Sequence, residues 1–281
     1  MRDDWKSLVR KAACRLEAEG IDSPYAEAER LWCGLSGVDL TTWVLHPGWV
    51  GEDLVHNYQE AVNRRVAREP FHYIIGMREF MGLNFRVDSR VLIPRPETEH
   101  LVERVLGDTA DTDLSLIDVG TGSGAICVSL AYYGSPLWHI TATDISQDAL
   151  DVANHNAASV LKHKQVHFIV SDLLNAVPES IDIVVANLPY VANHHSLELD
   201  PEVAYEPRIA LYADDQGLAI IKRLIRQLPG KLAGRGRVYL EVGIGQAEDV
   251  ERLLREQHLT ILPRTRDLAG IDRVVAAEKT P

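Results

Sequence analysis

Apolar residues along the first seventy positions recur at helical spacing. Leu8, Val9, Ala12, Ala13 and Leu16 fall on one face, and Gly20 can stop the helix they predict. Ser23 followed by Pro24 supplies an N-cap and a proline at the first helical position, and Ala28, Leu31, Trp32 and Leu35 continue a second face. A third helix is predicted over 52–67, with Val55, Tyr58, Val62 and Val66 turned inward, and Pro70 ends it. From Phe71 the texture changes. Segments 72–75, 80–87 and 91–93 read as short strands separated by Gly76, Gly82 and Asp88-Ser89, and Pro94-Arg95-Pro96 closes them. Beyond this point strands are predicted over 114–119, 139–143, 166–170, 181–186 and 237–242, with helices over 123–132, 147–158, 217–228 and 246–257. Two strand-like segments, 259–263 and 273–277, end the chain. Alternating strands and helices predict a doubly wound α/β fold with a parallel sheet, and the last two strands predict an antiparallel hairpin at one edge. The reading divides the chain into a helical part, 1–70, a β-hairpin linker, 71–96, and an α/β domain, 97–281.

Composition narrows the function classes. The 281 residues carry 41 acidic and 29 basic side chains, a formal charge of −12. A field of that sign disfavours stable binding to nucleic acid, which rests on Lys and Arg meeting phosphates. The three cysteines, Cys14, Cys33 and Cys127, form no CxxC pair, so neither a zinc ribbon nor a disulfide framework is suggested. No apolar run approaches the ~20 residues of a membrane span, and the first residues, Met1 to Trp5, lack the apolar core of a signal peptide. The expectation is a cytoplasmic protein, away from membranes, without a metal, and a monomer.

The first predicted strand of the α/β domain runs into Asp118-Val119-Gly120-Thr121-Gly122-Ser123-Gly124. The glycines let the backbone turn tightly and approach a ligand at a helix N-terminus. The spacing is GxGxG, so the dinucleotide fingerprint is not met. Asp118 would repel a pyrophosphate and attract an ammonium, which S-adenosylmethionine carries at its amino-acid end. Asp144 ends the second strand, about where an acid binds ribose hydroxyls in such sheets, and Asp172 follows the third, where it could meet an adenine amino group. Gly120, Thr121, Gly122 and Gly124 with the three acids are therefore the candidate cofactor site, to which Asn187 is added. The fourth strand ends in Asn187-Leu188-Pro189-Tyr190. That set suits methyl transfer to a planar NH₂ group. The Asn187 side-chain oxygen accepts one N–H, the Leu188 carbonyl accepts the other, and the ring of Tyr190 packs on the amide, where a developing cation is attracted. Asn187, Leu188, Pro189 and Tyr190 are the candidate catalytic residues.

The segments Glu69 to Gly76, Arg78-Glu79-Phe80, Val91 to Glu99, Asp118 to Gly124, Ala142 to Ser146, Asn187 to Tyr190, Glu206-Pro207, Leu240 to Gly243 and Asp267 to Gly270 together resemble the HemK family of protein glutamine N5-methyltransferases. The resemblance implies a Rossmann-like class I methyltransferase sheet of seven strands, the last antiparallel, behind a small helical domain that docks the protein substrate. It implies S-adenosylmethionine as methyl donor, S-adenosylhomocysteine as product, and the glutamine of the Gly-Gly-Gln motif in class I peptide chain release factors as substrate. It also implies that Asn187 and the Leu188 carbonyl hold that glutamine, and that Asp144 and Asp172 hold the cofactor. The family usually has Asn-Pro-Pro-Tyr. Leu188 in place of the first proline keeps the carbonyl and loses the fixed φ, predicting a modestly looser site.

Three other readings compete: a ribosomal-protein glutamine methyltransferase, a nucleic-acid adenine-N6 or cytosine-N4 methyltransferase, and a silent cofactor-binding scaffold. Arg64, Arg65 and Arg68 are expected on a solvated face, with contact to a ribosomal partner's acidic surface or to tRNA-like elements as the alternative. His194-His195 is expected in an exposed loop. Arg95 and Glu97 are expected at the cofactor entrance or in a structural salt bridge, Glu206-Pro207 at a turn beside the glutamine pocket, and Glu241 near the site.

Overall fold

The computed structural model describes residues 4–45, 51–110, 112–163, 165–192 and 200–280. Two compact units divide the chain, Met1–Gly76 with Asp200–Tyr205, and Met77–Leu199 with Glu206–Pro281. His194 and His195 lie outside the described residues. Among the described residues no helix is long and apolar enough to cross a membrane.

The first unit contains helices α1 (Trp5–Ala18), α2 (Pro24–Ser36), α3 (Leu40–Leu45), α4 (Glu52–Val66) and α5 (Phe71–Ile75). Asp4 caps α1 through its carboxylate, which accepts from the Lys6 N–H at 3.2 Å. Ser23 does not cap α2 as predicted; it takes a left-handed conformation and its side chain makes no capping bond, so Pro24 alone marks that start. The core is built on Trp5, Leu16, Leu31, Trp32 and Tyr58. The Trp32 ring meets Trp43 and Tyr58 edge-on at 5.3 and 5.0 Å, and the Tyr58 hydroxyl donates to the Ala28 carbonyl at 3.0 Å.

The arginines at the end of α4 do not form a solvated basic face. Arg65 is buried, paired with Glu27 and, at 2.9 Å, with Glu202, while Arg68 meets Glu202 at 3.0 Å. Arg64 donates to Glu69 at 2.8 Å. Their charge is matched internally, which removes the basis for a basic docking patch.

Residues 72–75, predicted as a strand, belong to α5. Its amides bond back to Pro70 and His72, Gly76 closes it at φ 76°, and Tyr73 and Ile74 are buried. Five residues are too few to separate a helical period from an alternating one, and packing decides. The predicted strand 80–87 is a hairpin instead, β1 (Met77–Phe80) against β2 (Leu83–Arg86), because Met81 and Gly82 both adopt positive φ and turn the chain. Segment 91–93 forms no strand.

The second unit is a sheet with helices on both faces. Its elements are α6 (Glu99–Asp108), β3 (Leu114–Val119), α7 (Ala125–Tyr133), β4 (Trp138–Asp144), α8 (Gln147–Val160), β5 (Val166–Val170), β6 (Ile181–Ala186), β7 (Val191–Ala192), α9 (Arg208–Leu211), β8 (Tyr212–Ala213), α10 (Ala219–Lys231), β9 (Leu232–Glu241), α11 (Ala247–Glu256), β10 (Leu259–Ile261), β11 (Thr265–Arg266) and β12 (Asp272–Lys279). The main ladder runs β10-β12-β9-β6-β3-β4-β5, seven strands, with the short β11 beside β12. β12 pairs antiparallel with β10, the edge hairpin that was predicted, and also with β9, so the last strand lies between the two. One face is covered by α10 and α11 through Leu224, Leu228, Val250 and Leu254. The other is covered by α6, α7 and the hairpin through Leu101, Val105, Leu130, Phe80 and Phe85. The hairpin's aromatic residues are thus core of this unit.

Candidate functional site

Register assembles the site. Leu240 pairs with Ala186, Ala186 with Val119, and Val119 with Thr143 across four parallel strands. One residue further along each strand come Glu241, Asn187, Gly120 and Asp144, which therefore share one level at the carboxyl edge of the sheet. Open α/β sheets bind ligands at this edge. A cavity of about 410 Å³ lies there, lined by Gly120, Gly122, Asp144, Asp172, Asn187, Leu188 and Pro189 among others. That volume is in the range of pockets for small molecules of cofactor size.

The glycine loop is held from below. The Gly120 and Thr121 amides donate to the Thr143 carbonyl at 2.8 and 2.9 Å. Gly124 has φ 80°, and a Cβ there would stand 3.0 Å from the Ala153 Cβ, so the loop can approach α8 only without a side chain. Asp118 is fully buried beneath the loop and does not line the cavity. One carboxylate oxygen accepts from the Thr121 hydroxyl at 2.6 Å and the Cys127 amide at 3.2 Å, and the other has no partner. Burial raises its pKa to about 6 against those bonds. Asp118, Thr121 and Gly124 therefore shape the loop, while Gly120 and Gly122 form the wall. Asp144 accepts the Gly122 and Ser146 amides, each at 2.9 Å, and burial raises its pKa. Asp172 is on the wall but ion-paired with Arg223, a partner that the sequence did not suggest.

The residue donors fit S-adenosylmethionine. The Asp144 carboxylate at the end of β4 can accept from hydroxyls, and a side-chain-free wall passes at Gly120 and Gly122, while the unpartnered oxygen of Asp118 is not on the cavity wall.

Asn187, Leu188 and Pro189 line the cavity; Tyr190 does not. Asn187 donates from Nδ2 to the Thr98 hydroxyl at 3.0 Å, and among the described residues Oδ1 has no hydrogen-bond partner. Leu188 is buried, and a Cβ on Gly120 would sit 2.9 Å from its Cδ2. The leucine thus packs over the first glycine, a restraint by contact where the family's proline restrains by its ring. The Tyr190 hydroxyl donates to Glu241 at 3.2 Å, and burial raises its pKa.

Glu241 is 2% exposed at the end of β9. Burial raises its pKa to about 7, opposed by the hydroxyls of Thr98 and Tyr190 and by the charge of Arg273. Arg95 pairs with Glu206, not Glu97, and Glu206 also accepts from the Ile93 amide at 3.1 Å. This is the structural role for Arg95, and it shows that a side chain, not a neighbouring strand, takes the Ile93 amide. Pro207, just after Glu206, lines the cavity. Thr98 was missed in the sequence; its only signal was its place in the Pro96-Glu97-Thr98-Glu99 segment.

The three raised acids, Asp118, Asp144 and Glu241, predict a pH slope in stability. A carboxyl whose folded pKa lies above its unfolded value stabilises the fold below the unfolded value and loses that contribution as pH rises through the folded one. For Glu241 the window runs from 4.5 to about 7. Across it the wild type should lose on the order of 3 kcal/mol relative to Glu241→Gln. Urea denaturation of both proteins at pH 4.5, 6 and 8 checks this, and parallel curves would show that Glu241 does not titrate there.

Residues 7–76 match the model of the PrmC N-terminal domain, and residues 110–229 match that of a methyltransferase domain. The chain is 37% identical over 277 residues to the release factor glutamine methyltransferase of Lactococcus lactis, covering 98% of this chain and 99% of that protein. It is 38% identical to the protein of the same name in Koribacter versatilis, covering 98% of each. Among solved structures, a ribosomal protein L11 methylase from Lactobacillus delbrueckii superposes with a TM-score of 0.52 at 23% identity, over 70% of this chain and 86% of that one. A methyltransferase from Pyrococcus furiosus superposes with a TM-score of 0.54 at 13% identity, over 80% and 99%. These two likenesses concern the fold alone.

Proposed function

Because the chain belongs to the release factor glutamine methyltransferase family, an S-adenosylmethionine-dependent family, we propose that it methylates N5 of the glutamine in the Gly-Gly-Gln motif of class I peptide chain release factors. Bound S-adenosylmethionine supplies a methyl group already activated on a sulfonium. An amide nitrogen is a weak nucleophile, because its lone pair is delocalised into the carbonyl. The chain's residues therefore have to position it and favour the charge that grows on it. Asn187 Oδ1 accepts one N–H of the substrate amide and the Leu188 carbonyl accepts the other, aiming the nitrogen into the cavity. The bonds strengthen as the nitrogen becomes cationic. The proton turns acidic only after transfer, so no dedicated base is needed. Gly120, Gly122, Asp144 and Asp172 hold the cofactor on the facing wall.

The observation that carries this reading is the committed amide of Asn187. Its donor end is bound to Thr98 and its acceptor end has no hydrogen-bond partner among the described residues, beside Leu188 and Pro189 on the cavity wall. A nucleic-acid substrate is disfavoured by the charge of −12 and by the internal pairing of Arg64, Arg65 and Arg68. The test is incubation with S-adenosylmethionine and a purified class I release factor, followed by tandem mass spectrometry of the Gly-Gly-Gln peptide. One added methyl on that glutamine is the expected result. An unmodified peptide, with cofactor bound, would overturn the substrate assignment.

A further inference from the structure

A primary amide has a donor end and an acceptor end of nearly the same size. Turned over, the Asn187 amide would set its NH₂ against the substrate's N–H, donor against donor. Some group must tell the two ends apart. Thr98 cannot do so alone, because a hydroxyl both donates and accepts and would serve either orientation. A third group can remove that freedom by taking the hydroxyl proton, which leaves Thr98 only its lone pairs.

Glu241 is placed to be that group. Parallel register puts it beside Asn187, one residue beyond the Ala186–Leu240 pair. Tyr239, two residues earlier, belongs to the core on the α6 side, so Glu241 faces the start of α6, where Thr98 sits. The Tyr190 hydroxyl donates to one Glu241 oxygen at 3.2 Å, while the other is buried with no hydrogen-bond partner among the described residues; the Thr98 hydroxyl accepts from Asn187, and its own proton likewise has no acceptor there. Thr98 is 4% exposed and Glu241 2%, so solvent does not meet either need, and the unpartnered carboxylate oxygen and the unplaced hydroxyl proton complement each other. An ionised carboxylate accepts only, which gives the chain of bonds one direction.

We propose that Thr98 and Glu241 are positioning residues: Glu241 takes the Thr98 hydroxyl proton, Thr98 then accepts from Asn187 Nδ2, and Asn187 Oδ1 is thereby held toward the substrate. The same carboxylate fixes the Tyr190 hydroxyl. A protonated Glu241 can donate to Thr98 and free its hydroxyl to turn, so the bias on Asn187 weakens at low pH. Besides Thr98 and Tyr190, the charged groups facing Glu241 are Arg273 from β12, which favours its ionised form, and Glu97 beside Thr98, which opposes it.

The proposal rests on the glutamine methylation reading for its substrate, and one of its two measurements needs no substrate. Methylation kinetics are compared for wild type, Thr98→Val, Thr98→Ser and Glu241→Gln. Thr98→Val keeps the shape, removes the hydroxyl, and lowers kcat/KM by about 100-fold, the cost of a misplaced reacting group, while Thr98→Ser restores most of it. The wild-type rate rises with pH through neutrality; in Glu241→Gln, whose amide can donate to Thr98, the rate is lower and that rise is absent. The second measurement is the side-chain amide NMR signal of Asn187, identified by its loss in Asn187→Ala. It shifts in Thr98→Val and Glu241→Gln and stays in place in Thr98→Ser. An unmoved signal in Thr98→Val, or wild-type kinetics there, overturns the proposal. If Thr98→Val does not fold, Glu241→Gln decides in the same way, an unchanged signal and pH profile overturning it. A signal that moves as stated, in a protein that methylates no release factor, leaves the positioning roles standing and overturns the substrate reading instead.

Discussion

Asn187→Ala lowers kcat/KM for release-factor methylation by about 100- to 1,000-fold, the range lost when one preorganised polar contact to a developing charge is removed. The effect is large because Asn187 contributes a fixed oxygen. Its amide is held at the donor end by Thr98, 89 positions earlier in the chain, so no reorganisation is needed when substrate arrives. Truncation removes that oxygen and also leaves the buried Thr98 hydroxyl without its donor. Asn187 lines the cofactor cavity, so cofactor affinity is measured in parallel by calorimetry and should change much less than turnover. A variant that methylates at the wild-type rate would move the acceptor site away from the end of β6.

Arg65→Met destabilises the helical unit by about 3–5 kcal/mol, because it leaves a buried carboxylate without its cation. Glu27 is 7% exposed and Arg65 6%, and Glu202 is the second carboxylate on the same guanidinium. After the substitution Glu27 keeps only Arg30, whose side chain is 60% exposed. The loss comes from the uncompensated charge and not from the ion pair's own strength. Arg65→Met combined with Glu27→Leu should therefore recover much of it. Trp5, Trp32 and Trp43 lie in the core of this unit, so denaturation followed by tryptophan fluorescence reports it. An unshifted transition in the single variant would mean that the pair is solvated in solution.

Legibility in the sequence followed the range of the interactions. β5 and β6 have the bounds predicted, since each is an apolar run flanked by polar or turn residues whose signal is local. The glycine loop and the Asn187 segment were legible for the same reason. α3 was missed although Asp39 caps it by accepting from the Thr42 amide at 2.8 Å, because six residues give too short a period. α6 was missed although Leu101, Val102 and Val105 carry its buried face. The pairing of Arg65 with Glu202 and of Asn187 with Thr98 was illegible in principle. Each joins residues far apart in the chain, and only the folded topology says which of many acids or hydroxyls will be the neighbour. The charged α4 terminus shows the cost: three arginines in five positions look like a surface, and Arg65 and Arg68 find their carboxylates on Glu27 and Glu202, far along the chain.

The short segment Asp200–Tyr205 belongs to the helical unit, although the chain on either side of it belongs to the other. The helical unit is consequently not a detachable module. A fragment cut after Gly76 would carry Arg65 and Arg68 without Glu202, and the Ala67 carbonyl without the Tyr205 hydroxyl that donates to it at 2.6 Å. Swapping this unit between relatives, as one would exchange a docking head, therefore requires grafting two pieces of sequence together. A chimera joined only at residue 76 separates Arg65 and Arg68 from the Glu202 they pair with here.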